Sequence, residues 1–153
     1  MARWSYRDGS LLWMLVGAFA IHVAEEWFGA FPEWISTVVS RPMPVAAFVI
    51  VNGIAMVLMI VGVRAAIRSE RSGWIAVTIA TIALVNTVSH VAGAMLTRGY
   101  APGLISAIVL YVPLGSLTII RALDQARHQV ARGVALGVLL HAAVFVIAFA
   151  STR

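Results

Sequence analysis

A small set of polar side chains lies inside stretches that are otherwise apolar, and their types and spacing suit catalysis or metal binding. His22-Val23-Ala24-Glu25-Glu26 places one imidazole and two carboxylates within five positions. Positions i, i+3 and i+4 of an α-helix share a face, so all three side chains fall within an arc of about 100°. Asn86 and His90 stand in the same i, i+4 relation, and Asn52 and His141 add an amide and a second isolated imidazole. The chain has no cysteine, which excludes disulfides, thiolate metal sites and cysteine nucleophiles. Imidazole, carboxylate and amide remain. These are the donors of zinc, iron and manganese centres and of general acid–base catalysis.

The elements that must position these groups follow from composition. The 153 residues are 61% hydrophobic and only 11% charged, with mean hydropathy +0.96. A soluble domain carries roughly 25% charged residues, so the chain reads as a single, all-α integral membrane domain. Five runs approach the ~20 residues that a helix needs to cross a hydrocarbon core: 11–29, 44–63, 74–96, 104–120 and 134–150. The longest connection, 30–44, holds Pro32, Trp34, Pro42 and Pro44 and reads as a short interfacial segment. The first run continues straight into the His22–Glu26 motif instead of a small-residue cleavage site, which argues against a cleaved signal peptide.

Arginine sets the orientation. All 11 basic residues are Arg, a usage that suits a GC-rich bacterial genome. Arg3, Arg7, Arg64, Arg68, Arg71, Arg121, Arg127 and Arg132 share one side of a five-span chain, while Arg41, Arg98 and Arg153 lie on the other. Arg-rich short loops stay cytoplasmic, so the N-terminus is expected inside and the C-terminus outside, in a bacterial inner membrane. The net charge of +5 then serves topology and contact with anionic lipid head groups; no nucleic-acid partner is expected. Trp4, Trp13 and Trp74 at the inner boundary and Trp27 and Trp34 at the outer one fit two aromatic belts. At 1.5 Å per residue, His22, His90, Asn52 and His141 lie about 9–13 Å below the outer ends of their spans, with Glu25 and Glu26 about 5 Å down. The polar groups of four helices thus fall in one outer layer.

Three motifs occur in order: His22-Val23-Ala24-Glu25-Glu26, Asn86-Thr87-Val88-Ser89-His90 and Tyr100-Ala101-Pro102-Gly103. They resemble the HxxEE, NxxxH and YxPG signatures of the HXXEE-domain family of bacterial membrane proteins, from the first span into the fourth. That family is uncharacterised with a suspected enzymatic role, so the resemblance supports the choice of site residues and leaves the reaction open.

The leading expectation is an intramembrane metal-dependent enzyme acting on a lipid-like or other hydrophobic small molecule. His22, Glu26 and His90, with His141 at similar depth, would bind one or two divalent ions (zinc, iron or manganese). Glu25 would be the general base toward metal-polarised water, Asn86 would orient substrate or stabilise an oxyanion, and Asn52 and Tyr100 would line the substrate pocket, Tyr100-Ala101-Pro102-Gly103 closing it from outside. The run resembles the inverzincin pattern H-x-x-E-H, with Glu26 in place of the final His. A metal-free Glu/His acid–base isomerase or hydrolase is the second expectation. A small proton or cation transporter is the third, although the polar groups stop in the outer half. A haem held by His90 and His141 leaves His22, Glu25 and Glu26 unexplained. Each residue also has a plainer reading: Glu25 and Glu26 as the solvated end of a helix, Asn52 and Asn86 as interhelical hydrogen-bonding groups, His141 as a packing residue. Oligomeric state is not legible.

The arginine distribution generates a topology test. Reporter fusions after Arg68 and after Gln125 should behave as cytoplasmic, and one near Tyr100 as external. A cytoplasmic Tyr100 fusion would overturn the placement of the polar layer in the outer half.

Overall fold

The computed structural model describes residues 9–151, so Arg3, Trp4, Arg7 and Arg153 of the sequence reading lie outside the described residues. The described chain is helical. Helix α1 is Ser10–Phe28, α2 Phe31–Val39, α3 Val45–Arg68, α4 Gly73–Thr97 and α5 Leu104–Ser106; a π-helical turn at Ala107–Tyr111 leads into α6, Val112–Ser151. Among the described residues, five segments are long and apolar enough to cross a membrane: Ser10–Phe28, Val45–Arg68, Gly73–Thr97, Leu104–Asp124 and Arg127–Ile147.

Two boundaries differ from the sequence reading. The second span runs on to Arg68, because Arg64, Ala65, Ala66 and Ile67 are sound helix formers and hydrogen bonding does not stop where hydropathy falls. The fifth starts at Arg127, and the expected Arg-bearing loop before it is itself helical. Even so, the chain reverses there. Thr87 Oγ1 donates to Ala107 O at 3.3 Å and Gly115 abuts Ala80 and Leu84, so this stretch runs antiparallel to α4. Gly133 abuts Trp74 and Val77, and Gly137 abuts Thr78 and Thr81, so the later stretch runs parallel to it. Helix α4 is the central element, flanked by both arms of this hairpin.

Two stripes build the core. On α1, Leu11, Leu15, Ala18, His22 and Glu26 are buried, a spacing of three or four that follows one helical face. On α4 the buried stripe runs Ala76, Ala80, Ala83, Thr87, His90 and Gly93. Both begin apolar and end in the polar motif. Between their apolar parts pack Val63 and Ala66 of α3 and Tyr111 of the π-turn.

Segment 30–44 is helical at Phe31–Val39, and it lies partly on the bundle. Trp34, expected in an outer belt, packs on Gly93, where an added Cβ would come within 2.6 Å of the indole. Small residues also admit α6 against α4. A Cβ on Gly137 would lie 2.5 Å from Thr81 Cβ and 2.9 Å from the Thr78 carbonyl, and the Thr78 hydroxyl donates to Gly133 O at 3.1 Å. Gly137→Leu should therefore destabilise the bundle by about 1–3 kcal/mol through overpacking, read as lost thermal stability in detergent. Gly17→Leu, with nothing within 4 Å of its Cβ, should be near neutral. Equal effects would refute the close approach at Gly137.

Candidate metal centre

Helix α1 ends its buried stripe with His22 and Glu26, 1% and 5% exposed, and α4 brings His90, 5% exposed, against them. His22 Nε2 lies 3.4 Å from Glu26 Oε1, and His90 Nε2 lies 3.3 Å from the same oxygen. The two rings meet edge to face, 4.8 Å between centroids. One ligand atom from each of the three residues lies within 4.8 Å of the others. A tetrahedral ion with bonds of 2.0–2.1 Å separates its ligands by about 3.3–3.4 Å, which the two distances to Glu26 match. His22 Nε2, though close to the carboxylate, forms no hydrogen bond with it, and His90 Nδ1 is likewise buried without a partner. Two histidines and one glutamate suit a divalent ion and leave a fourth position for water or substrate, as in catalytic zinc sites.

Gly103 roofs the three. Its φ of +95° is open to glycine and strained for residues with a Cβ. An added Cβ would also come within 2.7 Å of Cε1 of both His22 and His90 and 3.0 Å of Glu26 Cγ. Phe31 of α2 covers His90 from the side, 6.0 Å between centroids. Tyr111 packs on His22 from within the bundle, 4.7 Å between centroids. The π-turn that carries Tyr111 precedes Pro113, which has no N–H and would crowd the carbonyl of Val109 in a regular α-helix; widening the turn relieves that conflict.

Glu25 departs from its expected position at the metal-facing surface. It accepts hydrogen bonds from the backbone N–H groups of Ile105 at 3.0 Å and Ser106 at 2.6 Å, and from the Tyr100 hydroxyl. Glu25 and Glu26 are about 100° apart around α1, so only one can face His90; the other reaches the start of α5, whose free N–H groups need an acceptor. Tyr100, expected in the substrate pocket, holds this carboxylate instead. Partial desolvation and the Glu25 carboxylate push its hydroxyl up to about 12, so it remains a proton donor at physiological pH.

His141, expected as a ligand, lies outside the three-residue group. Its Nε2 is 3.3 Å from Ser89 Oγ, and Ser89 is turned about 100° from His90 on α4. Asn86 shares the His90 face, its Oδ1 buried and without a hydrogen-bond partner. Asn52 donates to its own helix at Phe48 O, 3.1 Å away, and lines a groove of about 430 Å³ between α1 and α3 with Phe19, Val23, Trp27 and Phe48. That groove and the centre share an aromatic wall, since Phe31 packs against both Phe48 and His90. Ser106 and Tyr111 went unnoticed in the sequence. A serine three residues beyond the Pro-Gly turn was the one available signal for Ser106, and Tyr111 carried none.

A helical membrane-type bundle with a buried two-histidine, one-carboxylate group under a Pro-Gly turn defines the class. The chain matches, over residues 13–118, the family described as protein of unknown function with HXXEE motif. That span covers the His22–Glu26 motif, His90, the Gly103 roof and the π-turn, and the chain belongs to this family. No curated protein and no solved structure matches it.

The roof is directly testable. Gly103→Ala combines a strained φ, costing about 1–3 kcal/mol, with contacts to all three candidate ligands. It should lower the thermal midpoint and shift the ring resonances of His22 and His90. Gly99→Ala, where only a carbonyl 3.8 Å away is met, should do neither. Unmoved His22 and His90 resonances in Gly103→Ala would contradict the roof.

Proposed function

We propose that the protein is an intramembrane metal-dependent enzyme of the bacterial inner membrane, with its N-terminus in the cytoplasm and its centre in the outer half of the bundle. The observation that carries this reading is the convergence of two imidazole nitrogens, 3.4 Å and 3.3 Å away, on one buried carboxylate oxygen, His22 Nε2 having no hydrogen-bond partner. A buried carboxylate needs a compensating positive charge, and a divalent cation held by His22, Glu26 and His90 supplies it. When bound, such an ion would supply Lewis acidity toward a carbonyl or phosphoryl oxygen or toward water.

The remaining residues bind and orient. Glu25 and Tyr100 hold the start of α5 and so keep Gly103 over the centre. Asn86 Oδ1 is free to accept a hydrogen bond from a substrate hydroxyl or amide. The apolar groove between α1 and α3, separated from His90 by the Phe31 ring, favours a lipid-like substrate whose hydrocarbon part arrives through the bilayer. Three ligand residues specify one ion per chain, zinc, iron or manganese.

A second reading rests on the same distances. Glu26 Oε1, within 3.4 Å of His22 and 3.3 Å of His90, suits a proton shared among the three in a metal-free acid–base isomerase or hydrolase. Elemental analysis separates the two. Untagged protein supplied with zinc, iron or manganese should retain about one ion per chain, the stoichiometry of a single three-ligand site. His90→Ala and Glu26→Ala should each release it with helical content retained, because apolar packing holds the helices together. Glu25→Gln should keep it. Wild-type protein that takes up none of the three metals would remove the metal reading and leave the acid–base one.

A further inference from the structure

The Ser106 hydroxyl stands where it can decide which nitrogen of His22 carries the proton. Ser106 Oγ lies 2.9 Å from His22 Nδ1 and donates to the Gly103 carbonyl at 3.2 Å. A hydroxyl has one proton to donate and two lone pairs to accept with. A serine proton given to the Gly103 carbonyl leaves Ser106 to accept from His22 Nδ1–H. A neutral imidazole protonated at Nδ1 has a bare Nε2. That matches His22 Nε2, which is buried and makes no hydrogen bond while lying 3.4 Å from a carboxylate oxygen; a proton there would be an N–H beside a carboxylate yet aimed past it.

Ser106 is itself tightly placed. It is 5% exposed, so water does not compete for its hydroxyl. Its backbone N–H is held by Glu25 at 2.6 Å, and it sits at the junction of α5 with the π-turn. Glu25 therefore acts on the centre at one remove, through the residue that hydrogen-bonds His22.

We propose that Ser106 is a positioning residue that keeps His22 in its Nδ1–H tautomer and so presents the Nε2 lone pair to the point between Glu26 and His90. The tautomer is a property of the metal-free chain; the consequence for metal affinity rests on the metal-dependent reading above. Hydrogen-bond partners behind ligating histidines contribute 10–100-fold in affinity.

The test uses full-length protein in lipid nanodiscs, labelled with ¹⁵N-histidine, stripped of metal, and held at about pH 8, above the ordinary histidine range. His22, identified by the resonances lost in His22→Asn, should show a protonated Nδ1 and a bare Nε2. Ser106→Ala should shift it toward the Nε2–H form, and Ser106→Thr, which keeps the hydroxyl, should restore the wild-type pattern. Zinc titration should give a Kd about 10–100-fold weaker for Ser106→Ala and within about threefold of wild type for Ser106→Thr. An Nε2–H tautomer in the wild-type protein overturns the proposal, and so does a Ser106→Ala protein with unchanged tautomer. If the wild-type protein binds no zinc, iron or manganese but shows the Nδ1–H tautomer, the proposal stands and the metal reading falls.

Discussion

Glu26 is a carboxylate enclosed by an apolar bundle, and that constraint organises the half of the molecule around it. Removing an ionised carboxylate from water is expensive unless opposite charge and polar groups replace the solvent. Here two histidines stand beside the same oxygen, one from the same helix a turn earlier and one from α4. Bringing them together requires α1 and α4 to align the polar ends of their buried stripes, which the apolar packing of Leu15, Ala18, Ala76 and Ala83 below them accomplishes. The apolar half of the bundle is in this sense the support for the half that holds the polar centre.

A layer of groups packs around the centre. Gly103 comes close enough that no larger residue fits. Glu25 caps the helix start that follows, so two adjacent carboxylates have opposite duties: one faces inward to the imidazoles, the other binds backbone N–H groups that would otherwise lack an acceptor. The π-turn at Ala107–Tyr111 accommodates Pro113 and delivers the Tyr111 ring to His22. Ser106, Gly103 and Tyr111 reach the same imidazole from one short stretch of chain. The Tyr-Ala-Pro-Gly turn therefore lies against the histidines although none of its residues is a candidate ligand.

The apolar groove between α1 and α3 and the centre lie on different faces of α1, joined through Phe48 and Phe31. Phe31 belongs to α2, the short helix that lies on the bundle with Trp34 seated on Gly93. A hydrophobic molecule in the groove would meet the polar centre only past this aromatic wall.

Much of this was legible in the linear sequence. Hydropathy alone marks the spans, since twenty apolar residues have few other uses, and helical periodicity places His22 with Glu26 and Asn86 with His90 on common faces. Depth, counted along each span, puts the polar groups of separate helices in one layer. Rotation about the helix axis is what the count could not supply. Depth is set by rise per residue, which local geometry fixes, whereas the direction a face points is set by which neighbours pack against it. So His141, at the right depth, turned out to face Ser89, and Asn52 to face the α1–α3 groove. Glu25 and Glu26, indistinguishable as neighbours in the motif, were separated only when α5 came close enough to need an acceptor. Ser106 and Tyr111 became part of the centre because α5 and the π-turn that follows it bring both against His22. The chain's own pattern determined the helices, their order and the depth of their polar groups; tertiary packing alone decided which of those groups meet, because contact depends on long-range orientation that no local spacing encodes.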